Sequence, residues 1–371
     1  MSVLFIGKRF YTNRDALRER YGRIFQLPWH WAEAGIPTRL WLVDYHSWHT
    51  LSECDGALKV VSTPVRNLHL FRQWLTGAYA REGKPGVVVA SGDCYIGWLG
   101  WRIARRLRAR FVFDVYDKYD EFAGYHKLPG LDLFASLLQN AAVRLFASRA
   151  LLDELGRPDI DCLVPNGVDT VRFAPRDMRA SRVAMSLPQE TLLVGYFGSM
   201  EPDRGVNDLV TAVQLLRQQG VNVQLVLGGK PTRGMDIGRA GVIYLGNVAY
   251  DRVPDALAAC DLLAVPYRRS PFMDAGASNK IAEAIACSRP IVATRTPNLT
   301  ANFSTQAAQL GPLLAEPSDP ASLARSIRLQ AEQRLRVDMP SGMSWRDIAA
   351  DVAQRLALAD TDRITSSPTT P

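Results

Sequence analysis

The sequence predicts an α/β protein built as two parallel-sheet domains. Two observations carry that expectation. Short apolar runs alternate with helical stretches along the chain, and a polar, proline-bearing segment divides the runs into two sets. The first set is "SVLFIG", "TRLWLV", "GVVVAS", "FVFDVY" and "DCLVPNG"; the second is "LLVGYFG", "VQLVLGG", "GVIYLG", "LLAVPY" and "PIVAT". Between them lies "PNGVDTVRFAPRDMRASRVAMSLPQE", and 371 residues suffice for two domains of ordinary size. The expected organisation is a first domain over 1–165, a linker over 166–185 and a second domain over 186–343. "MSWRDIAADVAQRLALAD" reads as an amphipathic helix within 344–360 that packs back toward the first domain, and 361–371 as a disordered tail.

Composition narrows the class. At 47% hydrophobic and 22% charged, the chain is an ordinary soluble globular protein. No apolar run reaches the ~18 to 20 residues of a membrane span. The longest candidate, "GVVVASGDCYIGWLGW", carries Asp93, and the opening "MSVLFIGKRF" reads as a first strand rather than a leader. Cysteines 54, 94, 162, 260 and 287 are scattered, odd in number and without metal-ligand spacing, which fits a reducing cytoplasm. The net charge of +7 calls for an anionic partner. "WRIARRLRAR" sets Arg102, Arg105 and Arg106 on one helical face, followed by Arg108 and Arg110. No nucleic-acid motif accompanies them, so an anionic membrane surface is the more economical partner; a merely solvated helix face is the plain alternative.

Function in such folds is read from the residues after each strand, because ligands of open α/β sheets bind at the strands' carboxyl ends. The first strand leads into Gly7 and later Gly22, without the three spaced glycines of a dinucleotide site, which disfavours a nicotinamide dehydrogenase. In the second half, "GYFGSMEPDRGVNDL" brackets a loop between Gly198 and Gly205 and delivers Arg204 to the next helix. "SNKIAEAIACSRPIVAT" reads as a helix running into a strand. At about 100° per residue, Lys280, Glu283, Ala284 and Cys287 share one stripe while Ile281 and Ile285 face the core. Ser278 and Asn279 precede the stripe as N-cap candidates. A lysine at a helix start suits a phosphate and a carboxylate one turn on suits hydroxyls. The plain alternative is a surface Lys–Glu pair.

Four stretches now add up: "VPNGVDTVRFAP", "GYFGSMEPDRGVNDL", "VIYLGNVAYDRVPDALAACDLLAVPY" and "SNKIAEAIACSRPIVAT". In this order and spacing they resemble retaining GT-B glycosyltransferases, in particular the large bacterial family of α-mannosyl- and α-glucosyltransferases. The likeness is close over most of the second half and loose over the first. It implies two Rossmann-like domains facing a central cleft, with a nucleotide-diphosphate sugar on the second and the acceptor on the first. By position, Arg204 and Lys280 would neutralise the departing diphosphate and Glu283 would bind the ribose hydroxyls. Gly246 and Val248 would line the base, and Gly198 and Ser199 would form the glycine loop. Asp274, Ala275, Gly276, Ala277, Ser278 and Asn279 would offer backbone N–H groups to the sugar and phosphates.

The departures are specific. An earlier glutamate common in the family would fall at Ala275, with Asp274 beside it. Ser199 stands where many members have arginine. A His-Asp pair that ends a strand of the first domain is replaced by Tyr116 and Asp117, which leaves Asp117 as the catalytic-side candidate and Tyr116 on the acceptor side. "DKYD" is not read as a metal site, because the resemblance implies that cations and helix termini meet the diphosphate charge; no cofactor is expected. Gly22 and Arg23 are acceptor-side candidates, His30 is structural, and tryptophans 29, 31, 41, 48, 74, 98 and 101 are core residues or sugar-stacking rims. The expected activity is hexose transfer from a UDP- or GDP-sugar to a saccharide or lipid-linked saccharide in surface polysaccharide biosynthesis, such as lipopolysaccharide or exopolysaccharide. The expected place is the cytoplasm, peripheral at the inner membrane face. The alternatives are a nucleotide-sugar epimerase of the same shape and a non-catalytic nucleotide-sugar-binding subunit.

Overall fold

A computed structural model of the chain describes all residues except 12–13, 67–83, 122–124, 126–131, 234 and 359–371. The expected tail and Trp74 lie outside the described residues. The chain divides into two compact units, Met1–Gly167 with Ser344–Pro371, and Val168–Met343.

The first unit carries β1 (Val3–Lys8), a short antiparallel pair β2 (Phe10–Tyr11) and β3 (Arg14–Asp15), β4 (Thr38–Asp44), β5 (Leu51–Asp55), β6 (Leu58–Pro64), β7 (Val87–Ser91), β8 (Arg110–Val115), β9 (Val143–Phe146) and β10 (Cys162–Leu163). Its main sheet has the order β10-β9-β8-β7-β1-β4-β6-β5. All neighbours pair in parallel except β5 with β6. Every residue of β7 is buried, as expected for a central parallel strand covered on both faces. The hairpin β5–β6 and strand β9 have no counterpart among the expected runs.

The helix Trp345–Arg355 belongs to this unit. Its Ser344 cap accepts from the Asp347 N–H, and the Trp31 indole donates to the Ala349 carbonyl at 2.8 Å. Arg110 donates to the Leu356 carbonyl at 3.1 Å, so one arginine of the basic run is tied to this segment.

The second unit carries β11 (Leu192–Phe197), β12 (Val223–Gly228), β13 (Val242–Tyr244), β14 (Leu262–Val265) and β15 (Ile291–Ala293). Their order is β13-β12-β11-β14-β15, parallel throughout. Much of the stretch expected as a linker is built into this unit. Val168 and Phe173 enter its core, and Asp177 caps the helix Met178–Ala184. From that helix Arg182, 4% exposed, reaches the Asp261 carboxylate at 2.6 Å and the Ala259 carbonyl at 2.9 Å. A polar sequence can thus be core structure when its buried arginine finds a half-buried carboxylate.

Candidate active site

The second unit gathers its candidate residues at the carboxyl ends of its strands. Gly198 follows β11, Gly229 follows β12, Gly246 follows β13 and Tyr267 follows β14. Backbone bonds tie these strand ends together: the Gly198 N–H donates to the Gly228 carbonyl at 2.8 Å, and the next residue's N–H, that of Gly229, donates to the Gly246 carbonyl at 2.7 Å. Gly198 has φ +145°, and a Cβ there would lie 2.2 Å from Cε of Lys280. The missing side chain is the space that the lysine occupies. The Tyr196 hydroxyl donates to the Ser199 carbonyl at 2.5 Å and fixes the next turn of that loop.

Arg204 ends the one-turn helix Pro202–Arg204, and Gly205 turns the chain at φ +67° into the helix Val206–Gln218. A Cβ on Gly205 would meet the Pro266 carbonyl at 1.8 Å, so the arginine loop is pressed against the segment after β14. There the Arg204 guanidinium lies 5.4 Å from the ring centroid of Tyr267 and 3.8 Å from Glu201.

Lys280 and Glu283 lie half-buried on the helix Asn279–Ala286, whose Ile281 and Ile285 are buried as expected. Ala284 and Cys287, assigned to the open stripe from sequence, are buried too. The polar face is therefore only the helix's first turn and a half. Ser278 stands at the N-cap position but makes no capping bond; its hydroxyl pairs with the Tyr267 hydroxyl at 2.8 Å. Burial alone would raise the Tyr267 phenol. The charges of Lys280 and Arg204, with hydrogen bonds from Ser278 and Arg204, outweigh it and hold the phenol below its ordinary range. Arg204 thus lies over the buried Tyr267 ring, and Lys280, on the helix Asn279–Ala286, acts on the same phenol through its charge.

Other candidates are placed differently from the sequence expectation. Asp274 forms an ion pair with Arg269 at 2.7 Å, and its N–H closes a helical turn onto Ser270. Ala275 is buried, Gly276 donates to the Met273 carbonyl at 3.3 Å, and the Ser278 N–H donates to Asn298 Oδ1 at 3.1 Å. Those three N–H groups of the "DAGAS" loop are engaged within the protein, while Ala277 and Asn279 stay half-buried beside them. The Val248 side chain is buried in the core, where a Cβ on Gly228 would touch it at 2.9 Å, so Gly246 alone of that pair keeps an open side: a Cβ there would meet nothing within 4 Å.

In the first unit, Arg23 is 1% exposed and forms a two-pronged pair with Asp114 at 2.6 and 2.9 Å. It also donates to the Val164 carbonyl and to Asn166 Oδ1. An arginine so enclosed holds the fold and offers a ligand nothing, which corrects its acceptor-side assignment. Gly22 is enclosed as well, since a Cβ there would strike the Tyr11 hydroxyl at 1.7 Å. Tyr116 is buried, with its hydroxyl on the Gly92 carbonyl at 3.0 Å and its phenol pushed well up, first by burial and then by Asp117. Asp117 is half-buried just past β8 and accepts from the Lys118 N–H at 3.1 Å. Among the described residues no group of three His, Cys, Asp or Glu side chains could hold a metal ion.

Sequence reasoning missed Tyr267 and Gly229. The glycine pair ending "VQLVLGG" was a usable signal for Gly229. The tyrosine ending "LLAVPY" stood only as the last residue of an apolar run.

Residues 191–332, within the second unit, match the family described as glycosyl transferases group 1. Among curated proteins the chain is similar to D-inositol 3-phosphate glycosyltransferase of Stackebrandtia nassauensis, at 31% identity over 38% of this chain and 35% of that one. It is similar also to the GDP-mannose-dependent monoacylated α-(1-6)-phosphatidylinositol monomannoside mannosyltransferase of Corynebacterium glutamicum, at 28% identity over 35% of this chain and 37% of that one. The matches thus span little more than a third of those relatives' lengths. Among solved structures, Anabaena HepE in complex with UDP and glucose superposes with a TM-score of 0.68 at 16% identity, over 96% of this chain and 99% of that one. The catalytic domain of Arabidopsis thaliana starch synthase IV, bound to ADP and acarbose, gives 0.69 at 13% identity, over 98% and 99%. These likenesses show the fold, which is GT-B.

Proposed function

We propose that the protein is a retaining glycosyltransferase that moves a hexose from a UDP- or GDP-sugar to a saccharide or lipid-linked saccharide acceptor. The observation that carries this reading is the placement of Arg204 over Tyr267 and of Lys280 against the Gly198 loop, with Glu283 one turn further along the lysine's helix. The donor's diphosphate lies against the two cations and the uncapped helix start, and Glu283 accepts from the ribose hydroxyls. As the glycosidic bond breaks, negative charge grows on the leaving diphosphate. Cations already in place stabilise it more than they stabilise the bound donor. The acceptor hydroxyl attacks the oxocarbenium-like centre on the face the diphosphate leaves, and its proton passes to the departing diphosphate oxygen. No metal is required in this scheme, because side chains supply the positive charge. The GDP-mannose dependence in one relative's name and the UDP bound in a structural neighbour support the donor class.

The test is a melting scan with UDP and GDP, with and without a chelator. Either nucleotide should raise the melting temperature equally in both conditions, because a ligand that binds only the folded state stabilises it by mass action. A shift that vanishes in chelator contradicts the metal-free scheme. No shift with any nucleoside diphosphate contradicts the donor site, and donor turnover with no acceptor need would favour the epimerase.

The reading includes weak docking on an anionic membrane at the inner face of the plasma membrane, in surface polysaccharide synthesis. No helix among the described residues is long and apolar enough to cross a membrane. The helix Cys94–Leu107 instead exposes Tyr95, Trp98, Arg102, Arg105 and Arg106 along one side, with Arg102 stacked on Trp98 at 5.7 Å. Aromatic tips beside arginines suit a charged interface. Co-sedimentation with phosphatidylglycerol vesicles should fall when Arg102, Arg105 and Arg106 become glutamine. Equal binding by the variant would move the docking face elsewhere.

A further inference from the structure

We infer that Tyr267 is the positioning residue of the diphosphate grip, the side chain that locks the Arg204 loop to the Lys280 helix. The inference rests on the proposed donor site and concerns how its charges are held.

The residues around Tyr267 form a clasp. Before it, the Pro266 carbonyl fills the space that a side chain on Gly205 would need. After it, the Arg268 N–H donates to the Asp203 carbonyl at 2.9 Å, the Arg268 guanidinium grips Asp208 at 2.6 and 2.7 Å, and Ser270 donates to Asp203 at 2.7 Å. Residues 266–270 therefore hold the chain on both sides of Arg204. The Tyr267 carbonyl is itself fixed by the Thr294 hydroxyl at 2.6 Å.

The side chain then reaches the other element. Tyr267 is fully buried; its ring lies under Arg204, and its hydroxyl meets Ser278 Oγ at 2.8 Å, at the start of the helix that carries Lys280. One phenol thus touches both parts of the grip. Its acidity, set against burial by Lys280, Arg204 and the Ser278 bond, agrees with that placement, and Tyr196 is a further ionisable neighbour. A small displacement of a catalytic charge lowers rate far more than ground-state binding, so a positioning role has its own kinetic signature.

The experiment measures nucleoside diphosphate release from UDP-glucose and GDP-mannose by the full chain with a saccharide acceptor present, less the acceptor-free release, together with melting temperature and donor KM for each variant. Tyr267→Phe keeps the ring beneath Arg204 and removes the hydroxyl. It should lower kcat about tenfold, with donor KM changed less than about threefold and the melting temperature nearly unchanged. Ser278→Ala should give a similar loss, and the double variant should be no worse than either single one, because all three lack the same bond. If Tyr267→Phe folds poorly, the Ser278→Ala kcat and KM decide alone. Wild-type kcat in both single variants, or fully additive losses, would overturn the inference while wild-type nucleotide binding keeps the donor site intact. A wild-type protein that binds no nucleoside diphosphate would instead overturn the proposed function itself.

Discussion

Two charged residues show how much context decides. Glu283 and Arg23 are both hydrophilic residues on helices rich in buried apolar side chains. Glu283 is half-buried at the polar start of its helix, while Arg23 is sealed against Asp114, itself 0% exposed. Their alanine variants should therefore fail in opposite ways. Glu283→Ala should weaken nucleotide binding by ~1.5 to 3 kcal/mol, the worth of a charged hydrogen-bonding group, and leave the denaturant midpoint near wild type. Arg23→Ala should destabilise by ~3 to 5 kcal/mol, because it strands a buried carboxylate. Calorimetric titration with UDP or GDP and a urea melt of each variant separate the two. A stable Arg23→Ala protein, or a Glu283→Ala protein with unchanged affinity, would reverse the roles assigned here.

At the scale of elements, the site depends on loops shaped by glycine. Gly205 combines a left-handed backbone with a Pro266 carbonyl where a Cβ would stand. Gly205→Ala should cost ~1 to 3 kcal/mol of stability through strain and contact, and it should lower activity by moving Arg204. Urea denaturation and donor turnover of the variant check both halves; a variant with wild-type values in each would show that the loop yields freely. Much of this level was legible beforehand. The ten quoted apolar runs all contain observed strands, and the Lys280 helix lies where its period placed it. What was not legible has physical causes. The helix Met178–Ala184 looked like linker because its anchor, Arg182, depends on Asp261, 79 residues away. Strand β5 alternates half-buried and exposed residues, which leaves no apolar run to see. The N–H groups of Gly276 and Ser278 looked available because nothing local announces that Met273 and Asn298 take them.

For the whole molecule, each unit offers its own set of groups, and the second is the more complete as a site. Its two cations and its glycine loops follow different strands, Glu283 shares the helix of Lys280, and the order of their motifs along the chain is what carried the resemblance. Their arrangement was not legible in it, since Tyr267 announces itself only through contacts with Arg204 and Ser278. In the first unit the aspartates in and just after β8 take different tasks. Asp114 pairs with Arg23 and accepts from Ser91, whereas Asp117 stays on its own loop.

The central claim is that Arg204 and Lys280 act together on a departing diphosphate. A double-mutant cycle on turnover at saturating nucleotide-sugar tests it most directly. Each single alanine variant should lower kcat by ~10²- to 10³-fold, as for removal of one preorganised charge. Arg204→Lys should recover part of that loss, because the charge survives and the planar fork does not. The double variant should lose clearly less than the product of the single losses, because the two cations serve one leaving group. Losses under about tenfold for each variant, combining additively, would show that neither residue faces the leaving group and would contradict the account.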